Sequence, residues 1–175
     1  MDFAVPDSNV KQFELREGMQ VADLGAGSGH YALAAAHMVG NSGGVHAVEV
    51  QRDLLHRIRD QAALEGLHNV EIIWGTIEEE GGTKLRDESM TAAILSNTLF
   101  QVEDKEGTLR EAYRILAPNG RLLIVDWSES YGGMGPEENA IVTESKAREL
   151  AESAGFTYDR AIDAGVHHYG FIMKK

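Results

Sequence analysis

Five apolar runs of strand length punctuate the chain at Val21 to Leu24, Val45 to Val50, Val70 to Trp74, Ala92 to Leu95 and Leu122 to Trp127. They are nearly continuous rather than alternating, so both faces of each strand must be covered, as in a parallel sheet with helices on either side. Helical patterns fall between them. Leu54, Ile58 and Ala62 repeat every four residues, Leu109, Ala112, Tyr113 and Leu116 share one face, and Ala147, Leu150, Ala151 and Ala154 share another. A short helix is expected at Ser8 to Leu15. Gly40 and Gly155 stand as helix stops, Thr143 as a cap for the last helix, and Pro118-Asn119-Gly120 as a turn before a strand.

Strand and helix alternating through about five units specify a doubly wound α/β sheet, since a closed barrel needs about eight. The 175 residues fit one domain over 1–175, with no linker, repeat or low-complexity tract. The end differs: Phe156 to Ile162 and His168 to Met173 are separated only by Asp163 to His167, a link short enough to predict an antiparallel hairpin.

The first strand runs into Gly25-Ala26-Gly27-Ser28-Gly29 and then into the helical stretch Tyr31 to Val39. Missing side chains there would let a ligand approach the backbone at a helix N-terminus. The dinucleotide fingerprint needs its third glycine at position 30, which is His30, so the spacing speaks against a nicotinamide cofactor. Glu49, ending the next strand, carries two oxygens suited to both hydroxyls of a ribose.

With Asp23-Leu24 before that loop, His46-Ala47-Val48-Glu49-Val50, Leu95-Ser96-Asn97-Thr98-Leu99-Phe100 and Leu116-Ala117-Pro118-Asn119-Gly120-Arg121-Leu122, the chain resembles the class I S-adenosylmethionine-dependent methyltransferases, most closely their ubiquinone/menaquinone-biosynthesis-like branch. The resemblance spans roughly Val10 to Lys175 and implies a seven-stranded, Rossmann-like sheet ordered 3-2-1-4-5-7-6. It implies S-adenosyl-L-methionine as cofactor and S-adenosyl-L-homocysteine as product. Asp23, Gly25, Ala26, Gly27 and Gly29 would hold the methionine part, and Glu49 with Val50 the ribose. His30 at the helix start could touch the cofactor or cover the loop. Thr76 stands where the family often has an acid for the adenine amino group, Ile77 could pack on the ring, and Ser96 and Asn97 match the backbone oxygens that meet the methionine ammonium.

Ligands of open sheets lie beyond the carboxyl ends of the strands where strand order reverses, which places an acceptor near Asp126-Trp127 and, through the hairpin, near His167, His168 and Tyr169. Methyl transfer is in-line displacement, served largely by positioning. Where the acceptor loses a proton, His168 or His167 is the expected base, with Asp126 orienting it or accepting the proton itself. Strand alternation allows only one of the two histidines on a given face. The glycine-rich loop Ser128 to Asn139 is placed to act as a lid. Glu78, Glu79 and Glu80 read as a solvated loop, and no metal site is expected.

Lys plus Arg number 16 against 28 Asp plus Glu, a net charge of -12 that disfavours nucleic acid and anionic membranes and leaves a small-molecule acceptor as the expected partner. The absence of cysteine removes thiolate chemistry, including the thiolates by which arsenite methyltransferases hold substrate. No apolar run approaches the ~20 residues of a membrane span, and Met1 to Val10 is acidic and polar rather than signal-like, so a cytoplasmic location is expected. RNA or protein methylation, or a cofactor-binding module without turnover, are the competing readings; oligomeric state is not legible.

Overall fold

The computed structural model describes residues 5–175, so the first four residues of the Met1–Val10 stretch lie outside the described residues. Seven strands form one sheet: β1 (Gln20–Leu24), β2 (Gly44–Glu49), β3 (Val70–Trp74), β4 (Met90–Ser96), β5 (Leu116–Trp127), β6 (Thr157–Ile162) and β7 (His168–Lys174). Their spatial order is β3-β2-β1-β4-β5-β7-β6, the order implied by the resemblance. The first five are parallel, whereas β7 runs antiparallel between β5 and β6, so the short Asp163–His167 link does make the expected hairpin.

Helices α1 (Pro6–Phe13), α2 (His30–Val39) and α3 (Arg52–Leu64) cover one face; α4 (Lys105–Ile115) and α5 (Glu144–Ser153) cover the other. In β5, Leu122 and Ile124 join the α4/α5 core while Leu123 and Val125 join the α1/α2/α3 core. That two-sided burial is why the strands read as continuous apolar runs. Each fully buried leucine or isoleucine here contributes roughly 1.5–3 kcal/mol by leaving water. Thr143 caps α5 by accepting the Lys146 N–H at 3.3 Å, and Gly40 ends α2 as expected.

Two boundaries and one helix face differ from the sequence expectation. The first helix begins at Pro6, a residue suited to a first helical turn, and stops at Glu14 in the left-handed conformation with φ 59°. Leu55, not Leu54, joins Ile58 and Ala62 in the buried stripe of α3. Pro118-Asn119-Gly120 lies within β5 rather than before it. Leu116 already pairs with Met90, the register then shifts before Arg121 meets Ala92, and Asn119 takes φ 64° in the excursion between.

Reciprocal bonds seat α1 on the hairpin link: Gln12 Nε2 donates to the Asp163 carbonyl at 2.8 Å, and the Asp163 N–H donates to Gln12 Oε1 at 2.9 Å. Buried Asn9 donates to the Tyr31 hydroxyl at 2.8 Å. Among the described residues no helix is long and apolar enough to cross a membrane.

Candidate active site

The turn from β1 to α2 lies at the carboxyl end of the sheet, beside the reversal of strand order between β1 and β4. The Gly25 and Ala26 N–H groups both donate to the Val48 carbonyl at 3.0 Å, tying the turn to β2. The Gly27 N–H donates to Glu49 Oε2 at 2.9 Å, and Oε1 accepts from Val50 and Gln51 N–H at 2.9 and 3.0 Å. Glu49 is thus a buried carboxylate held by three backbone donors. Each oxygen keeps acceptor capacity, since an ionised carboxylate offers about four lone-pair directions.

The glycines of the turn differ in what they permit. A β-carbon on Gly27, at φ +54°, would meet nothing nearer than the Gly25 carbonyl at 4.0 Å and would project into open space. On Gly29, at φ +85°, it would stand 2.6 Å from Ile58 Cγ1. Gly27 therefore keeps a cavity clear, while Gly29 lets α2 and α3 pack.

That cavity measures about 310 Å³, within the range of small-ligand sites. Of the expected cofactor residues, Gly25, Gly27, Glu49, Val50, Thr76 and Ile77 line it. Val48, Gln51, Leu54, Gly75, Glu78, Thr98, Gln101 and Val102 complete the wall. Val48 and Thr98 lie inside the quoted motifs without having been assigned to the cofactor, whereas Leu54, Glu78, Gln101 and Val102 come from helix and loop positions with no fixed spacing to the glycine turn.

Asp23, Ala26, Gly29, His30, Ser96 and Asn97 are not brought into the cavity wall. Exposed His30 borders a separate depression with Ser28, Leu33 and Arg57 between α2 and α3. Ser96 and Asn97 lie behind Thr98, their carbonyls accepting from Thr98 Oγ1 and Gln101 Nε2, each at 2.8 Å. Asp23 is wholly enclosed and its Oδ2 has no hydrogen-bond partner. Burial pushes its carboxyl up to about 7, opposed by the Ala32 backbone N–H and reinforced by the Glu49 charge.

The expected pairing of Asp126 with His168 is not what the hairpin makes. In the β5–β7 ladder Asp126 lies opposite Tyr169 and Trp127 opposite His168. Residues opposite one another share a face and neighbours alternate, so Asp126 and Tyr169 point to the α4/α5 side and His168 with Trp127 to the other. The Asp126 carboxylate accepts the Leu99 N–H at 2.9 Å and the Trp127 N–H at 2.8 Å, fastening the loop after β4 that supplies Thr98 to the cavity. Burial raises it to about 6, against the backbone bonds from Trp127, Leu99, Phe100 and Thr98.

His168 stacks at a tilt on Trp127 with centroids 4.2 Å apart. Its Nδ1 lies 3.1 Å from the Val166 carbonyl, which can only accept, so the proton sits on Nδ1 and Nε2 presents a lone pair with no protein partner. Burial holds its pKa below the usual imidazole value, the Val166 bond opposing and the His167 charge adding to the shift. His167, at φ 66°, faces elsewhere: it bonds Glu129 at 2.7 Å and stacks on Tyr131 at 4.0 Å. The 128–139 loop thus folds back over this corner, with Gly135 so close to Trp127 that a β-carbon would stand 2.7 Å from the indole.

In the glutamate run Glu79 and Glu80 are exposed, as expected of a solvated loop, while half-buried Glu78 accepts the Asp104 N–H at 2.7 Å. Buried Glu111 of α4 accepts the Gly81 N–H at 3.0 Å and the Thr83 hydroxyl at 2.5 Å, pinning the segment that carries Thr76 and Ile77.

The sequence profile of the methyltransferase-domain family matches residues 15–161. The chain belongs to that family. Within this methyltransferase domain the matched span holds β1 to β5 and all but the last residue of β6, and ends before His167, His168 and β7. An arsenite methyltransferase of Aquipseudomonas alcaligenes is 38% identical over 64% of the domain, which spans only 34% of that protein's length. A demethylmenaquinone methyltransferase of Listeria welshimeri is 25% identical over 95% of the domain and 84% of its own length. Among solved structures, a SAM dependent methyltransferase from Aquifex aeolicus superposes with a TM-score of 0.87 at 27% identity, over 97% of the domain and 88% of that chain. Membership in a methyltransferase family is what the glycine turn, Glu49 and the strand order imply together.

Proposed function

We propose that the domain binds S-adenosylmethionine in the cavity at the glycine turn and transfers its methyl group to a small-molecule acceptor. The observation carrying this reading is the juxtaposition of a side-chain-free wall at Gly27 with a pinned, buried carboxylate at Glu49. A sulfonium nucleoside fits such a donor set: Glu49 offers acceptors to the ribose hydroxyls, Val48, Leu54 and Ile77 offer apolar surface to the base, and the unspent Asp23 oxygen lies behind the turn. Bound there, the cofactor would supply an activated methyl on sulfur, to which an acceptor lone pair adds in line while the S-adenosylhomocysteine thioether leaves with the C–S bonding pair.

The chain's own contribution is orientation and, for a protic acceptor, proton removal. His168 Nε2, buried beside the Trp127 ring and outside the cavity wall, is the group we assign to that proton, because its neutral tautomer leaves there a lone pair with no protein partner for an acceptor to meet. Asp126 takes no direct part in this scheme; its role is to hold the Thr98–Phe100 loop. The Thr76 hydroxyl accepts the Glu78 N–H at 3.3 Å and keeps its proton to offer.

The small-molecule acceptor draws support from the names of the arsenite and demethylmenaquinone relatives, and from the net charge of -12, which opposes RNA methylation. Lacking cysteine, the chain has no thiolate to offer arsenite. Calorimetric titration tests the reading: S-adenosylmethionine and S-adenosylhomocysteine should bind in the micromolar range and NAD should not. Binding of NAD alone, or of neither nucleoside, would overturn it.

A further inference from the structure

Trp74 ends β3 opposite Glu49 in the β2–β3 ladder and is half exposed, outside both apolar cores. Burial therefore does not explain a ring of this size at this place. Its indole N–H donates to the Val50 carbonyl at 3.0 Å, and the next N–H, from Gly75, donates to the Glu49 carbonyl at 3.3 Å. Glu49 Oε1 in turn accepts the Val50 and Gln51 N–H groups. The peptide from 49 to 51 is thereby gripped by its carbonyls from β3 and by its N–H groups from its own carboxylate.

The indole is itself held by two cations. The Arg52 guanidinium lies 4.1 Å from a ring centroid and Lys84 Nζ 5.2 Å, with Lys84 Nζ also bonded to the Trp74 carbonyl. Cations over an indole face are attracted to its negative quadrupole, which sets the ring plane and hence the direction of the N–H.

We infer that Trp74 is a positioning residue for the ribose of the cofactor, acting through the Val50 carbonyl to fix where the Glu49 carboxylate points. The inference rests on the cavity reading above. Releasing the Val50 carbonyl lets the 49–51 peptide rotate, and the carboxylate loses its aim at the sugar hydroxyls while the apolar wall for the base stays.

The test compares S-adenosylhomocysteine with its 2′-deoxy analogue by calorimetry on the whole chain and on Trp74→Phe, which keeps an aromatic face for the cations and deletes only the donor. The native chain should lose about tenfold in affinity when the hydroxyl is removed, the scale of one charge-assisted hydrogen bond. Trp74→Phe should lose threefold or less, with the melting temperature of the free protein within about 2 °C of native, as for a surface change that leaves the core intact. A variant that keeps the full tenfold discrimination overturns the role of Trp74 and leaves the cavity reading standing. A native chain that binds neither compound overturns both.

Discussion

A β-carbon on Gly29 would lie 2.6 Å from Cγ1 of Ile58, so the glycine that ends the turn is required by the packing of α2 on α3. Two residues earlier the same substitution on Gly27 meets no protein atom closer than 4.0 Å. One motif thus carries two separable demands.

Gly29→Ala should cost about 2–4 kcal/mol of stability through overpacking and positive φ, with the folded fraction keeping its cofactor affinity. Gly27→Val should fill the approach and abolish S-adenosylhomocysteine binding, with a smaller loss of stability from backbone strain alone. Denaturant melts paired with calorimetry separate the two; equal effects of both variants on both measurements would refute the division.

Removing the carboxylate should be felt in binding. Glu49→Ala deletes the ribose acceptors and unpins Gly27, Val50 and Gln51, so affinity for S-adenosylhomocysteine should fall by at least about tenfold. Unchanged affinity by calorimetry would dislodge the ribose assignment.

Asp23 predicts a pH-dependent stability. Its folded pKa of about 7 lies above the usual 3.8, so the folded state holds a proton that the unfolded chain has released. The group's contribution is full in acid and is lost as pH rises from about 4 through 7. Asp23→Asn, which still offers an oxygen to the Ala32 N–H, should melt higher than native at pH 8, with the gap narrowing steadily as pH falls to 4. A variant less stable at both pH values would show that the carboxylate is needed as a charge.

If His168 takes the acceptor proton, His168→Asn should lower kcat while leaving cofactor affinity intact. Because burial holds the imidazole below its ordinary ~6.5, the native rate should rise with pH in the acid range and be level by pH 7. A native profile still climbing between pH 7 and 9 would assign the proton to another group.

Glu111→Ala should destabilise the fold by about 2–3 kcal/mol, because it releases Gly81 and Thr83 and takes one carboxylate from the Arg114 guanidinium, which keeps Asp87 and the Leu85 carbonyl. Burial alone would raise the Glu111 carboxyl, yet the bonds from Arg114, Thr83 and Gly81 outweigh it and hold the group below its usual value. Chemical denaturation provides the measure, and a loss under 1 kcal/mol would contradict the account.

The sheet was legible because strands buried on both faces leave unbroken apolar runs, and the hairpin because five intervening residues cannot carry a crossover. The early start of β5 was hidden by Pro118, whose presence signals a turn although Leu116 already pairs with Met90. In the site, Gly27 and Glu49 stood out through spacing, whereas Gln101, Val102 and Glu78 arrive by tertiary folding of loops. The split between Asp126 and His168 was latent in strand alternation, yet it needs the β5–β7 register, which no single segment encodes. Trp74 left no trace in periodicity, since its significance is a hydrogen bond to the neighbouring strand.

That register has a consequence for how such a domain can change. With two-residue alternation, one residue inserted or deleted between Ala164 and His167 would rotate the last strand by half a turn, burying an imidazole where a phenol now stands and turning the phenol toward Trp127. Which side chain stands beside the Trp127 ring is governed by the length of a short connector, so the functional group at that corner can be exchanged by counting residues rather than by replacing them.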